Sequence, residues 1–90
     1  MSLSGFGRVV SFVSRSEVRS QVLGDIVRTP RTPSELASIE NKHMSHVSRA
    51  LAELRAQGLV EPVPTNSRQK YYKATDLGFL MAATFMKSAR

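Results

Sequence analysis

Two prolines three positions apart, Pro30 and Pro33, constrain this fold more than any other feature. Neither can continue a helix, because proline lacks an N–H and its ring crowds the preceding turn. The run Thr29-Pro30-Arg31-Thr32-Pro33 is therefore a break, with room for a short strand. The same residues dictate the next element. Thr32 is a helix cap, Pro33 suits the first helical position, and Glu35 stands where its side chain can reach back. A short helix carrying Leu36, Ala37 and Ile39 comes next, and Asn41, which tolerates left-handed backbone, ends it.

The flanks are read from that break. Val18, Val22 and Ile26, widened by Leu23 and Val27, predict a helix over about 16–27. Ser14 with Glu17 is one candidate cap for it, and Ser16 another. Arg19 falls inside this apolar stripe, so its stem is expected on the core with its head on a carboxylate or carbonyls. Phe6, Val9, Val10 and Val13 have helical spacing, with a short strand over 9–13 as the competing reading. A further helix is predicted over about 43–57, stopped by Gly58. Residues 59–63 and 70–74 read as two strands joined by a polar loop, with Pro62 marking an edge or bulge. Thr75 and Asp76 open a last helix through about Ser88.

The chain has 13 basic and 7 acidic residues, a net charge of +6, which attracts polyanions and nucleic acid first. It has no cysteine, which removes disulfides, thiolate metal sites and cysteine nucleophiles. No apolar run approaches the ~20 residues of a membrane span, and the N-terminus lacks signal-peptide features. The cytoplasm, in association with the nucleoid, is the expected compartment, and no membrane partner is expected.

The order helix, short helix, turn, helix, hairpin, helix describes a winged helix-turn-helix. Here the sequence resembles winged-helix transcriptional regulators of the MarR and ArsR type, the small archaeal ones in particular. The resemblance lies in Thr32-Pro33-Ser34-Glu35-Leu36-Ala37 and in Met44-Ser45-His46-Val47-Ser48-Arg49-Ala50-Leu51. It continues through Leu54, Gly58-Leu59-Val60 and Tyr72-Lys73-Ala74-Thr75-Asp76-Leu77-Gly78, covering roughly residues 14–80. It implies one mainly α domain over 1–90 with a small β-hairpin: a helix-turn-helix over about 32–58, a wing over about 59–74 and a dimerisation helix over about 76–88. Lys42 departs from the family, which usually has an apolar residue there.

At ~100° per residue, Val47, Leu51 and Leu54 share one face of the third predicted helix, with Met44 beside it. Ser45 and Arg49 lie opposite, Lys42 falls near that direction, and His46 and Ser48 flank it. A polar, basic first half suits a recognition helix entering the major groove of double-stranded DNA. Arg49 can donate twice to guanine or clamp a phosphate, and His46 can donate to a base edge. Ser45 and Ser48 are short donors for phosphate or a nearby base. Lys42 is expected to offer its ammonium to phosphate. Arg68 and Lys70 on the hairpin suit the DNA backbone or a narrow minor groove.

Nothing assembles into a catalytic or cofactor motif, and His43 with His46 makes an incomplete metal set. No cofactor and no enzymatic activity are expected, and nothing marks a pocket for a small-molecule effector. Two other uses of the fold stay open: non-specific coating of DNA, and protein–protein contact. A homodimer is expected because the last helix is apolar around most of its circumference. Leu77, Leu80, Met81 and Phe85 are expected on the core. Phe79, Ala82 and Met86 are expected on a partner copy, together with Phe6, Val9, Val10 and Val13; the competing reading folds the N-terminal segment back over Phe79 and Met86 within one chain.

Overall fold

The structure is a computed structural model that describes residues 3–88, with the side chains of residues 3, 4, 6 and 85–88 outside that description. The elements run α1 (Leu3–Ser14), α2 (Glu17–Arg28), α3 (Pro33–Glu40), α4 (Met44–Ala56), β1 (Val60–Pro62), β2 (Tyr72–Ala74) and α5 (Asp76–Ser88). The mainly helical winged helix-turn-helix expected from the sequence is the fold observed. Residues 9–13 are helical, so the competing strand does not form.

Local chemistry sets the helix ends. Ser16, not Ser14, caps α2, its hydroxyl accepting from the Arg19 N–H at 3.2 Å. Thr32 and Glu35 close a reciprocal capping box on α3: Glu35 N–H donates to Thr32 Oγ1 at 3.1 Å, and Thr32 N–H to Glu35 Oε1 at 2.9 Å. Asn41 then takes left-handed backbone, φ 52° and ψ 49°. The Lys42 N–H reaches back to the Ala37 carbonyl at 3.0 Å. The end of α4 repeats this device at Gly58, φ 75°, with Leu59 N–H on the Leu54 carbonyl at 3.0 Å. Two matching stops thus define a helix, a tight turn and a second helix.

α2 lies at the centre, packed against α1, α3, α4, α5 and β2. It buries Val22, Leu23 and Ile26 against Leu36 of α3, Val47, Ala50, Leu51 and Leu54 of α4, and Met81 of α5. Truncating a fully buried leucine such as Leu54 in a core of this kind costs about 2–5 kcal/mol. The hairpin pairs Val60 with Ala74, Glu61 with Lys73 and Pro62 with Tyr72, antiparallel. Its strands are shorter than expected, although Thr75 N–H on the Leu59 carbonyl and Val63 N–H on the Tyr71 carbonyl extend the pairing by one hydrogen bond at each end. Pro62 needs no ladder N–H because β1 is an edge. On its other side β2 meets Arg31, which exchanges both backbone hydrogen bonds with Tyr72. The proline-bounded break therefore supplies a minimal third strand anchoring the wing to the core.

The last helix is rotated relative to the expected setting. Met81 and Ala82 are buried, while Leu80 is 55% and Phe79 48% exposed. Gly78 causes this: a β-carbon there would overlap the Leu59 carbonyl, so only glycine lets α5 sit this close, with position 78 inward. Ala82, one turn later, must point inward with it. Ala82 is thus core rather than a surface for a partner, and Leu80 is surface rather than core. Val13 is likewise completely buried within the chain, and Val9 and Val10 are half-buried against the same core. Phe6, Phe85 and Met86 lie among the side chains outside the description.

Candidate nucleic-acid interface

The buried stripe of α4 fixes what its opposite face presents. With Val47, Ala50, Leu51 and Leu54 inward, the side chains of Ser45, His46, Ser48 and Arg49 are all exposed. Met44 departs from the sequence reading: it is 47% exposed and stands at the first turn of α4 beside these polar residues. The His43 and His46 rings pack edge to face with centroids 5.6 Å apart, steadying the start of the helix. No group of three or more potential metal-binding side chains is present among the described residues.

Charge is distributed unevenly along this face. Lys42 is half-buried, its ammonium 3.8 Å from Glu17 Oε1 on α2. An exposed ion pair of that length contributes little and opens readily. Arg49 makes no hydrogen bond or ion pair among the described residues. Glu53, one turn further on, is held by Arg19 of α2, whose Nε donates to Glu53 Oε1 at 3.0 Å. That hydrogen bond, assisted by the positive charges of Arg19 and Arg49, holds the Glu53 carboxyl below the usual carboxylate range. Arg19 also donates to the Phe12 carbonyl at 2.9 Å and lies 3.9 Å above the Phe12 ring. The expectation of a structural arginine with its head on a carboxylate and a carbonyl is met.

The hairpin supplies a second basic element. Arg68 and Lys70 are exposed on a tip ordered by Ser67 N–H donating to Thr65 Oγ1 and Gln69 N–H to Ser67 Oγ, both at 3.1 Å. Between this tip and the end of α4 lies a groove of about 400 Å³, lined on the helix side by Arg55. Arg55 joins Arg68 and Lys70 there, a role the sequence reading missed. Its spacing carried the signal, since positions 48 and 55 are two helical turns apart and share a face. Helix and hairpin thus each present exposed donors and cations, and Arg55 is the helix residue that lines the groove between them.

A different electrostatic feature lies behind the reading face. A cavity of about 430 Å³ at the α2–α3 joint is lined by Gln21, Gly24, Asp25, Arg28, Ile39 and Glu40. Both Glu40 carboxylate oxygens are buried, and the Asp25 carboxyl beside them is another acceptor unless one of the two groups carries a proton. Burial and the Asp25 contact push Glu40 up to about 8, against a smaller lowering by Lys42. Both effects favour the protonated form of Glu40.

The arrangement matches the domains of solved winged-helix transcriptional regulators. The adhesin competence repressor of Streptococcus pyogenes superposes with a TM-score of 0.77 at 18% identity, over 82% of this chain and 56% of that one. Reduced HlyU from Vibrio cholerae gives 0.74 at 24% identity, over 90% of this chain and 86% of that one. MepR of S. aureus, in a complex with DNA, gives 0.75 at 16% identity, over 93% of this chain and 72% of that one. Against several such structures the chain spans only 51–58% of the other's length. MarR-family regulators are among these structures, so the expected resemblance holds at the level of fold. No family model and no curated protein sequence matches the chain.

Proposed function

We propose that this chain is a sequence-specific double-stranded DNA-binding transcriptional regulator, not an enzyme, that acts as a homodimer. α4 enters the major groove, and the hairpin lies along the backbone or in the minor groove. The observation that carries this reading is the exposed set on the helix after the tight turn, with Ser45 and Arg49 opposite its buried stripe and His46 and Ser48 flanking them. In MepR the same fold is seen with DNA. Arg49 offers paired donors to a guanine edge, and the exposed Met44 offers an apolar surface to a thymine methyl. Lys42, Arg55, Arg68 and Lys70 meet phosphates.

The case for dimerisation rests on Phe79 and Leu80, large apolar side chains left exposed side by side on α5. A two-fold pairing through them sets two α4 helices ~34 Å apart or a multiple of that, to match a palindromic site. No helix among the described residues is long and apolar enough to cross a membrane. The proposed place of action is the cytoplasm, at the nucleoid. The archaeal side of the resemblance rests on the sequence motifs.

Selection of bound duplexes from a random pool tests the reading. A regulator enriches a palindromic motif and binds it on the order of 10³-fold or more tighter than random duplex. The net charge of +6 favours a second reading, uniform coating of DNA, and in that case no motif emerges. Failure to retain any duplex at low salt leaves only protein–protein contact.

A further inference from the structure

Arg19 spends its guanidinium on two elements at once. The Phe12 carbonyl it meets belongs to the last turn of α1, where carbonyls have no partner within the helix and the helix dipole is negative. The Phe12 ring lies beneath the same guanidinium. From this platform Arg19 Nε reaches Glu53 on α4. Arg19 therefore fixes where the Glu53 carboxylate points.

Glu53 has a second suitor. Arg49 stands four residues before it on α4, the spacing at which opposite charges on a helix face pair. The two line one shallow depression with Arg19 and His46. The Arg49 charge is felt at Glu53, yet the hydrogen bond of Glu53 goes to Arg19. The competition is uneven because Arg19 is already immobilised by ring and carbonyl, whereas Arg49 would have to be ordered to pair.

We propose that Arg19 is a positioning residue for DNA recognition: by holding Glu53 against the end of α1, it prevents an Arg49–Glu53 pair and leaves the Arg49 guanidinium free for the duplex. The inference rests on the DNA-binding reading of α4. It assigns Arg19 no contact with DNA. Without Arg19, Glu53 has two ways to oppose binding: it captures Arg49, and it sets an uncompensated negative charge near the phosphates.

Affinity for the selected duplex is measured at one salt concentration for the parent and for Arg19→Met, Arg19→Lys, Glu53→Gln and Arg19→Met with Glu53→Gln. Arg19→Met keeps the stem over Phe12, and thermal melts confirm that each variant is folded. Arg19→Met is expected to weaken binding about three- to tenfold, since it frees an i,i+4 partner and a like charge facing phosphate. Glu53→Gln alone stays within twofold of the parent, and the double variant returns to within twofold. Arg19→Lys falls between, because an ammonium can reach Glu53 but lacks the fork of donors that holds Glu53 and the Phe12 carbonyl together. A merely structural bond between α2 and α4 is lost equally in the single and double variants, so a double variant as weak as Arg19→Met overturns the proposal. Unchanged binding by Arg19→Met does so as well. A parent that binds no duplex overturns the DNA-binding reading itself, and that outcome is visible before any variant is compared.

Discussion

The Cα of Gly78 sits directly against the carbonyl of Leu59, and this contact decides which face of α5 the protein keeps for itself. The Leu59 carbonyl cannot retreat, because it also accepts the Thr75 N–H that starts α5. Gly78→Ala should therefore overpack the joint and cost about 1–3 kcal/mol. In a domain this small each kcal/mol lowers Tm by roughly 4–8 °C. Gly24, on α2, is the matched control, since a β-carbon there meets nothing within 4 Å. Gly24→Ala should raise stability by about 0.5–1 kcal/mol through helix propensity. Thermal melts of the two variants must move in opposite directions. A shared sign contradicts the packing described for α5.

The Asp25–Glu40 contact gives folding a pH dependence of definite sign. Glu40 keeps its proton in the folded chain up to about pH 8, whereas the unfolded chain loses it near the usual 4.5. Between these values the native state binds more protons than the unfolded state, so stability falls as pH rises through that window. Glu40→Gln mimics the protonated form and removes this slope. Its Tm should match that of the parent near pH 5 and exceed it at pH 8.5. Parallel curves for the two proteins across that range would show that Glu40 ionises normally.

How much of the structure is legible in the sequence depends on the range of the interaction responsible. Thr32, Asn41 and Gly58 declare helix ends through contacts within five residues, and all three stand where local chemistry puts them. The buried stripe of α4 is legible because its opposite face is polar. α5 has no such contrast. A helix apolar on most sides does not reveal its rotation, which is set by a backbone carbonyl nineteen residues upstream of Gly78. For that reason periodicity alone exchanges the places of Ala82 and Leu80. Asp25 and Glu40 lie on different helices, and no periodicity brings them together. Arg19 is legible as structural, but its choice of Glu53 over other carboxylates is not.

The corrected face of α5 changes the test for dimerisation. Phe79→Asp and Leu80→Asp place a charge on exposed positions and leave the chain's own core intact. Each should shift a concentration-dependent dimer toward monomer in sedimentation at micromolar protein, with an unchanged helical signal. Ala82→Asp should instead unfold the chain, because a charge at a buried position has no partner there. If Phe79→Asp and Leu80→Asp sediment as the parent does, the two chains do not meet through this face.

Salt separates the proposed work of the recognition helix from that of the hairpin. A side chain that neutralises a phosphate adds ~0.9 to the slope of log affinity against log salt, whereas one that reads a base edge changes preference more than slope. Arg68→Ala and Lys70→Ala should each flatten the slope by about one and weaken all duplexes alike. Arg49→Ala should cost about 1–3 kcal/mol on the selected site and much less on random duplex, so that the specificity ratio collapses. Lys42 is the informative intermediate, because it begins in a 3.8 Å pair with Glu17 that contact with phosphate must break. Glu17→Gln removes that competitor and should tighten binding slightly, most at low salt where the pair is least screened. Equal losses on selected and random duplexes for Arg49→Ala would move that residue from base reading to backbone contact and shift the reading face toward Met44, Ser45 and His46.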